Sequence, residues 1–155
     1  MSDVLELVMP RRLATPNLTL WKHWSEKRKH TEVWRAELQA AVMQVPRWQE
    51  WILVSFEMRR DPKTAVYQPI EIRKAERRRV TVIRQVRFRH HFIRDDDNLR
   101  FATKPLNDAL TRIGLLYDDS REWLEQAMPL QEVSPDKKPR TIVRLERIQE
   151  DRHGA

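Results

Sequence analysis

Alternation of apolar and polar positions predicts strands near both ends of the chain. In Val4 to Met9, Leu5, Leu7 and Met9 share one face and Pro10 stops the run; Thr141 to Ile148 likewise turns Val143 and Leu145 inward. Ile52, Val54, Phe56 and Met58 alternate with Leu53, Ser55, Glu57 and Arg59 as in a half-buried strand. Val80, Val82, Val86 and Phe88 share one face of a long strand, interrupted by Arg84, with the ladder continuing to about Phe92. Helical spacing takes over twice. Trp34, Leu38, Ala41, Val42 and Val45 recur at i, i+4, i+7, i+8 and i+11, which predicts a helix over 25–45 capped by Ser25 and ended by Pro46. Leu99, Ala102, Leu106, Ala109, Leu110 and Ile113 predict a second, closed by Gly114. Pro105 cannot donate a backbone hydrogen bond, so the regular part of this helix starts afresh near Thr103.

The intervening stretches read as connectors. Residues 10–20 form an irregular basic segment. Residues 60–79 form a long basic loop or hairpin with a short strand at Ile70 and Ile72, residues 133–140 a turn, and 149–155 a frayed tail. Gly114 turns the chain so that Leu115 and Leu116 are buried and Asp118 and Asp119 face back; Trp123 and Leu124 read as core or as a lid beside them. This order predicts an α+β fold, a single small domain over 1–155 in which a mixed β-sheet packs with two main helices.

Composition fits that picture. A chain of 155 residues with 40% apolar residues can bury a core, and its lack of cysteine rules out disulfides and thiolate zinc sites. With no apolar run long enough for a membrane span, a cytoplasmic protein is the default expectation. Charge changes the picture more. The formal net charge is +7, but residues 1–94 carry 20 Lys/Arg against 10 Asp/Glu while 95–155 carry 10 against 13. A basic half of this kind attracts phosphates, and Arg11, Arg12, Lys22, Lys27, Arg28, Lys29, Arg77, Arg78 and Arg79 are the expected DNA contacts, with Trp24 placed to stack on bases or join the core.

Against that background six carboxylates fall within residues 95–119, five of them in Asp95-Asp96-Asp97 and Asp118-Asp119. Crowded carboxylates raise one another's pKa unless a cation joins them, and Mg²⁺, with Mn²⁺ as a substitute, suits a few carboxylates together with phosphate oxygens. Other metal readings fail: Leu99, Arg100 and Leu106 stand where an EF-hand loop starting at Asp95 needs a ligand, a glycine and a bidentate glutamate. No His-Glu-x-x-His motif and no nucleophilic triad is present.

The run Arg94-Asp95-Asp96-Asp97-Asn98-Leu99, then Lys104 with Asp108-Ala109-Leu110, then Gly114-Leu115-Leu116-Tyr117-Asp118-Asp119 resembles the core of RusA-like Holliday junction resolvases. A weaker likeness extends through Pro16-Asn17, His23-Trp24 and Arg28, and the chain carries an insertion between Asn98 and Lys104. The resemblance implies a RusA-like fold, a homodimer, and a Mg²⁺-dependent endonuclease that resolves four-way DNA junctions in recombination and repair. It implies that Asp95, Asp97 and Asp119 bind the metal, that Lys104 is catalytic, and that Asp96 and Asp118 support the site. Asp108 pairs with Lys104 at i, i+4, and Asn98 either holds a carboxylate or caps the following helix. A homodimer would supply a second acidic cluster for the second strand, with the apolar residues of the N-terminal helix as interface candidates. Two other readings stay open: a non-catalytic basic DNA-binding protein, and a related nuclease acting on other branched DNA.

Overall fold

The computed structural model describes residues 3–14 and 24–149, the side chains of 24–27 excepted. The elements are β1 (Val4–Met9), α1 (Trp24–Val42), a 3-10 turn at Trp48–Trp51, β2 (Val54–Arg60), β3 (Tyr67–Arg73) and β4 (Arg78–Val86), followed by a 3-10 turn at Arg89–His91. Then come α2 (Asp96–Ala102), α3 (Lys104–Arg112), β5 (Leu124–Gln126), β6 (Leu130–Val133) and β7 (Arg140–Arg147). The result is a small single-domain α+β fold. Its mixed sheet runs β1-β7-β4, antiparallel throughout, and β4 pairs parallel on its other edge with β5 at Arg78–Val80 and with β6 at Ile83–Val86.

Strand alternation decides which side chains meet the helices. Leu5, Leu7 and Met9 of β1, Val80 and Val82 of β4, and Val143 and Leu145 of β7 all point inward and are buried. They pack in one cluster with Trp34, Leu38 and Val42 of α1 and Leu106, Ala109 and Leu110 of α3. Each such side chain contributes about 1.5–3 kcal/mol by leaving water. Of the apolar residues of α1, expected as interface candidates, Trp34, Leu38 and Val42 are spent on the core, while Val33 stays exposed. The opposite sheet face is charged: Arg79 lies between Glu125 and Glu146, 3.1 Å from each, and Arg144 is 2.7 Å from Glu6.

The second helix breaks as its proline requires. α2 ends at Ala102, Thr103 separates the two, and α3 carries Pro105 in its first turn, where a missing N–H costs nothing. Gly114 follows at φ 84°, and an added Cβ would come within 2.7 Å of Val54 Cγ2, so the position needs glycine both for its backbone and for its space. α1 already begins at Trp24, placing Ser25 within the helix instead of at its cap.

Three strand expectations need correction. Residues 55–60 are not half-buried: among the described residues β2 pairs only with β3, in a separate antiparallel ribbon, and Phe56 (68%) and Met58 (62%) are exposed. The basic stretch 60–79 is mostly this hairpin, and its second strand is longer than Ile70 and Ile72 suggested. β4 stops at Val86, short of Phe92, because the chain turns at Arg89–His91. The frayed tail 149–155 lies outside the described residues from 150 on.

The inward row of β4 reads Arg78, Val80, Val82, Arg84, Val86, and both arginines are fully buried. Arg78 donates from Nη1 to the carbonyls of Trp51 at 2.7 Å and Leu115 at 2.6 Å, and from Nε and Nη2 to the Glu76 carboxylate. Burial lowers its pKa and Glu76 opposes that shift. Its expected contact with DNA therefore does not hold: the guanidinium has no route to solvent and its donors are taken.

Glu76→Gln keeps the side chain's size and removes the one carboxylate that pairs with Arg78 among the described residues. Breaking a buried pair in this way should cost about 3 kcal/mol, visible as a lower urea midpoint with an unchanged slope. A midpoint equal to wild type would show that carbonyls alone satisfy Arg78.

Candidate active-site cleft

Helical spacing carries the acidic run into a cleft. Asp97, Arg100, Phe101, Lys104 and Asn107 follow one another at intervals of three, one, three and three, so they line the side of α2 and α3 away from Leu99, Ala102 and Leu106. Across from them, β5 and the break after it supply Leu124 to Pro129; Pro129 lacks the N–H that would continue the ladder. Asp119 and Arg121 enter from the segment after Gly114, and Arg77 from the start of β4. The enclosed volume is about 740 Å³.

Within it, Lys104 Nζ lies 2.6 Å from Asp119 Oδ2 and 3.2 Å from Asp108 Oδ1. The hydrogen bond to Asp119 holds the Lys104 pKa above its ordinary value, and the same bond holds the Asp119 carboxyl below its own. The sign follows for each partner. The Asp119 contribution is present above the usual carboxylate range and is lost as pH falls through the lowered pKa; that of Lys104 is lost only as pH rises through its raised one.

Asp95 plays a different part. Its Oδ1 accepts from the backbone N–H of Asp97 at 2.8 Å and of Asn98 at 3.1 Å, which makes Asp95 the N-cap of α2. Asn98, expected as a cap, is one of the residues capped. Both cap bonds use Oδ1, so Oδ2 lies outside them. Asp95 and Asp96 are exposed and do not line the cleft, while Asp118 Oδ1 accepts from the Asp119 N–H at 2.8 Å and shapes that turn. Asp97, Lys104 and Asp119 thus come together on one cleft, and Asp95 does not join them.

Among the described residues no group of three or more His, Asp or Glu side chains is placed to hold a metal ion. The donor chemistry nevertheless suits a hard cation. Asp97 and Asp119 offer carboxylates on the same cleft, and Asn107 Oδ1 is a buried acceptor without a hydrogen-bond partner while its amide nitrogen donates to Gln126 Oε1 at 2.7 Å. Mg²⁺ takes only oxygen ligands and keeps several waters, so two carboxylates suffice as direct protein ligands. The Lys104 ammonium already supplies one positive charge to Asp119.

The expected DNA contacts divide. Arg77 is exposed and lines the cleft, Arg12 is half-buried, and Arg28 and Lys29 are exposed on α1. Arg11 pairs with Glu37 at 3.2 Å and Arg79 with the two glutamates of the open sheet face. Lys22 and the side chains of Trp24 and Lys27 lie outside the described residues, as do Pro16, Asn17 and His23. Arg100, Phe101, Asn107, Arg121 and Gln126 were missed by sequence reading. For Arg100, Phe101 and Asn107 the signal was the spacing from Asp97; Arg121 and Gln126 arrive by tertiary crossing, which no local pattern encodes.

Lys104→Met should return the Asp119 carboxyl towards its ordinary pKa in a ¹³C NMR titration, while changing stability by less than about 1 kcal/mol because the pair is partly exposed. An unchanged Asp119 titration would mean that the pair does not persist in solution.

No family model matches this chain, and no curated protein sequence matches it.

Proposed function

We propose that the protein is a Mg²⁺-dependent endonuclease that resolves four-way DNA junctions, with Asp97, Asp119 and Lys104 at its centre. The observation that carries this reading is the shared cleft: Asp97 and Asp119 both line it, with a lysine bonded to Asp119. The likeness of the acidic, lysine and glycine elements to RusA-like resolvases supports the junction as substrate.

Asp97 and Asp119 would hold the cation, and Asp95 would orient Asp97 through the cap it forms. A Mg²⁺ held by these residues would polarise a phosphodiester and lower the pKa of a bound water. Lys104 stays protonated at neutral pH, since its pKa is raised, and its ammonium stabilises charge that develops on the phosphoryl oxygens. Arg77, Arg100 and Arg121 line the same cleft and are the donors for flanking phosphates.

Cutting two strands needs two such clefts, so we propose a two-fold homodimer. The β2–β3 ribbon supports a surface for it. By its register Phe56, Met58, Tyr67 and Pro69 share one face, and Phe56, Met58 and Tyr67 are more than half exposed. Among the described residues no other strand pairs with either ribbon edge, and exposed apolar ribbons with open edges are places where a second chain adds. Sedimentation should give a dimer for wild type and a folded monomer for Phe56→Asp/Met58→Asp. A variant that remains dimeric would move the interface elsewhere.

The direct test is cleavage of a mobile four-way junction in Mg²⁺. Wild type should give paired nicks, and Asp97→Asn should lose at least about 100-fold in rate while binding the junction normally in EDTA. Binding without cleavage in any divalent metal would favour the non-catalytic DNA-binding reading. Cleavage of flaps in preference to junctions would favour the related nuclease.

A further inference from the structure

The two buried arginines of β4 differ in one respect. Arg78 has Glu76; Arg84 has no carboxylate facing it among the described residues. Its Nε donates to the Leu13 carbonyl at 2.9 Å, and its Nη1 to the His91 carbonyl at 2.8 Å and to Gln131 Oε1 at 3.0 Å, all neutral oxygens. Nη2 is buried with no hydrogen-bond partner, and so is Nδ1 of neighbouring His91. A buried charge without a counter-charge is among the costlier features a fold can keep.

The surroundings add positive charge. Arg12 precedes the Leu13 carbonyl that Arg84 grips, and it acts on both Arg84 and His91. Burial, with Arg12 opposing the charge further, lowers the Arg84 pKa to about 10, which leaves it cationic at neutral pH. Arg87 lies over the Phe88 ring at 5.0 Å, Phe88 stacks on His90 at 5.5 Å, and His90 meets His91 edge-on at 4.3 Å. Arg87, Phe88 and His90 are exposed, so a ledge of cations and rings lies beyond the end of β4, and buried Arg84 is bonded to it through the His91 carbonyl.

We propose that this ledge is a second nucleic-acid contact, a phosphodiester site in which Arg12, Arg87 and His90 touch the backbone of one strand and buried Arg84 supplies a fixed positive charge from within the fold. The ligand provides the counter-charge that the fold omits. Phe88, packed against Arg87 and His90, holds both at the surface. Gln131 extends the same network: Nε2 donates to the Ile93 carbonyl at 2.8 Å, and Oε1 accepts from the Ile93 N–H at 2.9 Å. The contact thus sits on the segment that leads into Asp95. The site goes beyond the nuclease reading, because it requires binding and no chemistry.

The test uses surface residues, since Arg84→Gln risks unfolding the chain. Affinity for a labelled DNA duplex and a four-way junction is measured in EDTA over a series of NaCl concentrations. Wild type is compared with Arg12→Gln/Arg87→Gln and with the charge-matched Arg47→Gln/Arg112→Gln, both exposed and away from the ledge, the cleft and the ribbon. The first double variant should bind about tenfold more weakly, with a salt slope shallower by about 2, as expected for two lost phosphate contacts; the second should stay near wild type. Equal weakening by both pairs, or unchanged binding by the first, would overturn the site. Stabilisation by inorganic phosphate with no loss of DNA affinity in the first variant would also overturn it, in favour of a free-phosphate site. Cleavage in Mg²⁺ is scored separately, so a protein that never cuts can still show the slope change, and the two readings fail independently.

Discussion

Two guanidinium groups buried on the inward row of β4 tie together the loops on which the candidate site is built. Arg78 grips the carbonyl of Leu115, four residues before Asp119, and that of Trp51 beside the ribbon. Arg84 grips the carbonyl of His91, four residues before Asp95, and is bridged through Gln131 to Ile93. Backbone carbonyls at chain turns need donors once they leave water, and a planar group with five N–H bonds can satisfy several at once. The same strand therefore fixes both acidic segments. One arginine is balanced inside the fold and the other is left to be balanced from outside.

Much of this was legible where one force dominates locally. The inward residues of β1 and β7, the renewed helix start at Pro105 and the turn at Gly114 all follow from alternation, a missing N–H or a positive φ. The exposure of the ribbon was not legible, because Phe56 and Met58 alternate as a buried face would while no other strand among the described residues covers them. Arg84 looked like an interruption in a valine face; it is a member of that face, since its donors meet carbonyls supplied by distant turns. The short strands β5 and β6 carry too few residues for a pattern of their own and exist because β4 offers them an edge.

The acidic run shows how one residue type divides between structural and chemical work. Asp95 caps α2, Asp118 shapes the turn before Asp119, and Asp108 shares Lys104 with Asp119. Charge crowding on the sequence thus dissolves in part into ordinary local roles. What survives as a chemical signal is narrower than three clustered aspartates: Asp97 and Asp119 lining one cleft, with Asn107 Oδ1 unsatisfied there. The α+β fold leaves this cleft where helices α2 and α3 pass the break between β5 and β6. No helix of the described residues is long and apolar enough to cross a membrane.

If Asp97 and Asp119 hold a cation as proposed, paramagnetic broadening reports it without any DNA. Substoichiometric Mn²⁺ added to ¹⁵N-labelled protein should broaden the amides of Asp97 and Asp119 first, and excess Mg²⁺ should restore them. Broadening centred on other carboxylates, or none that Mg²⁺ reverses, would contradict it.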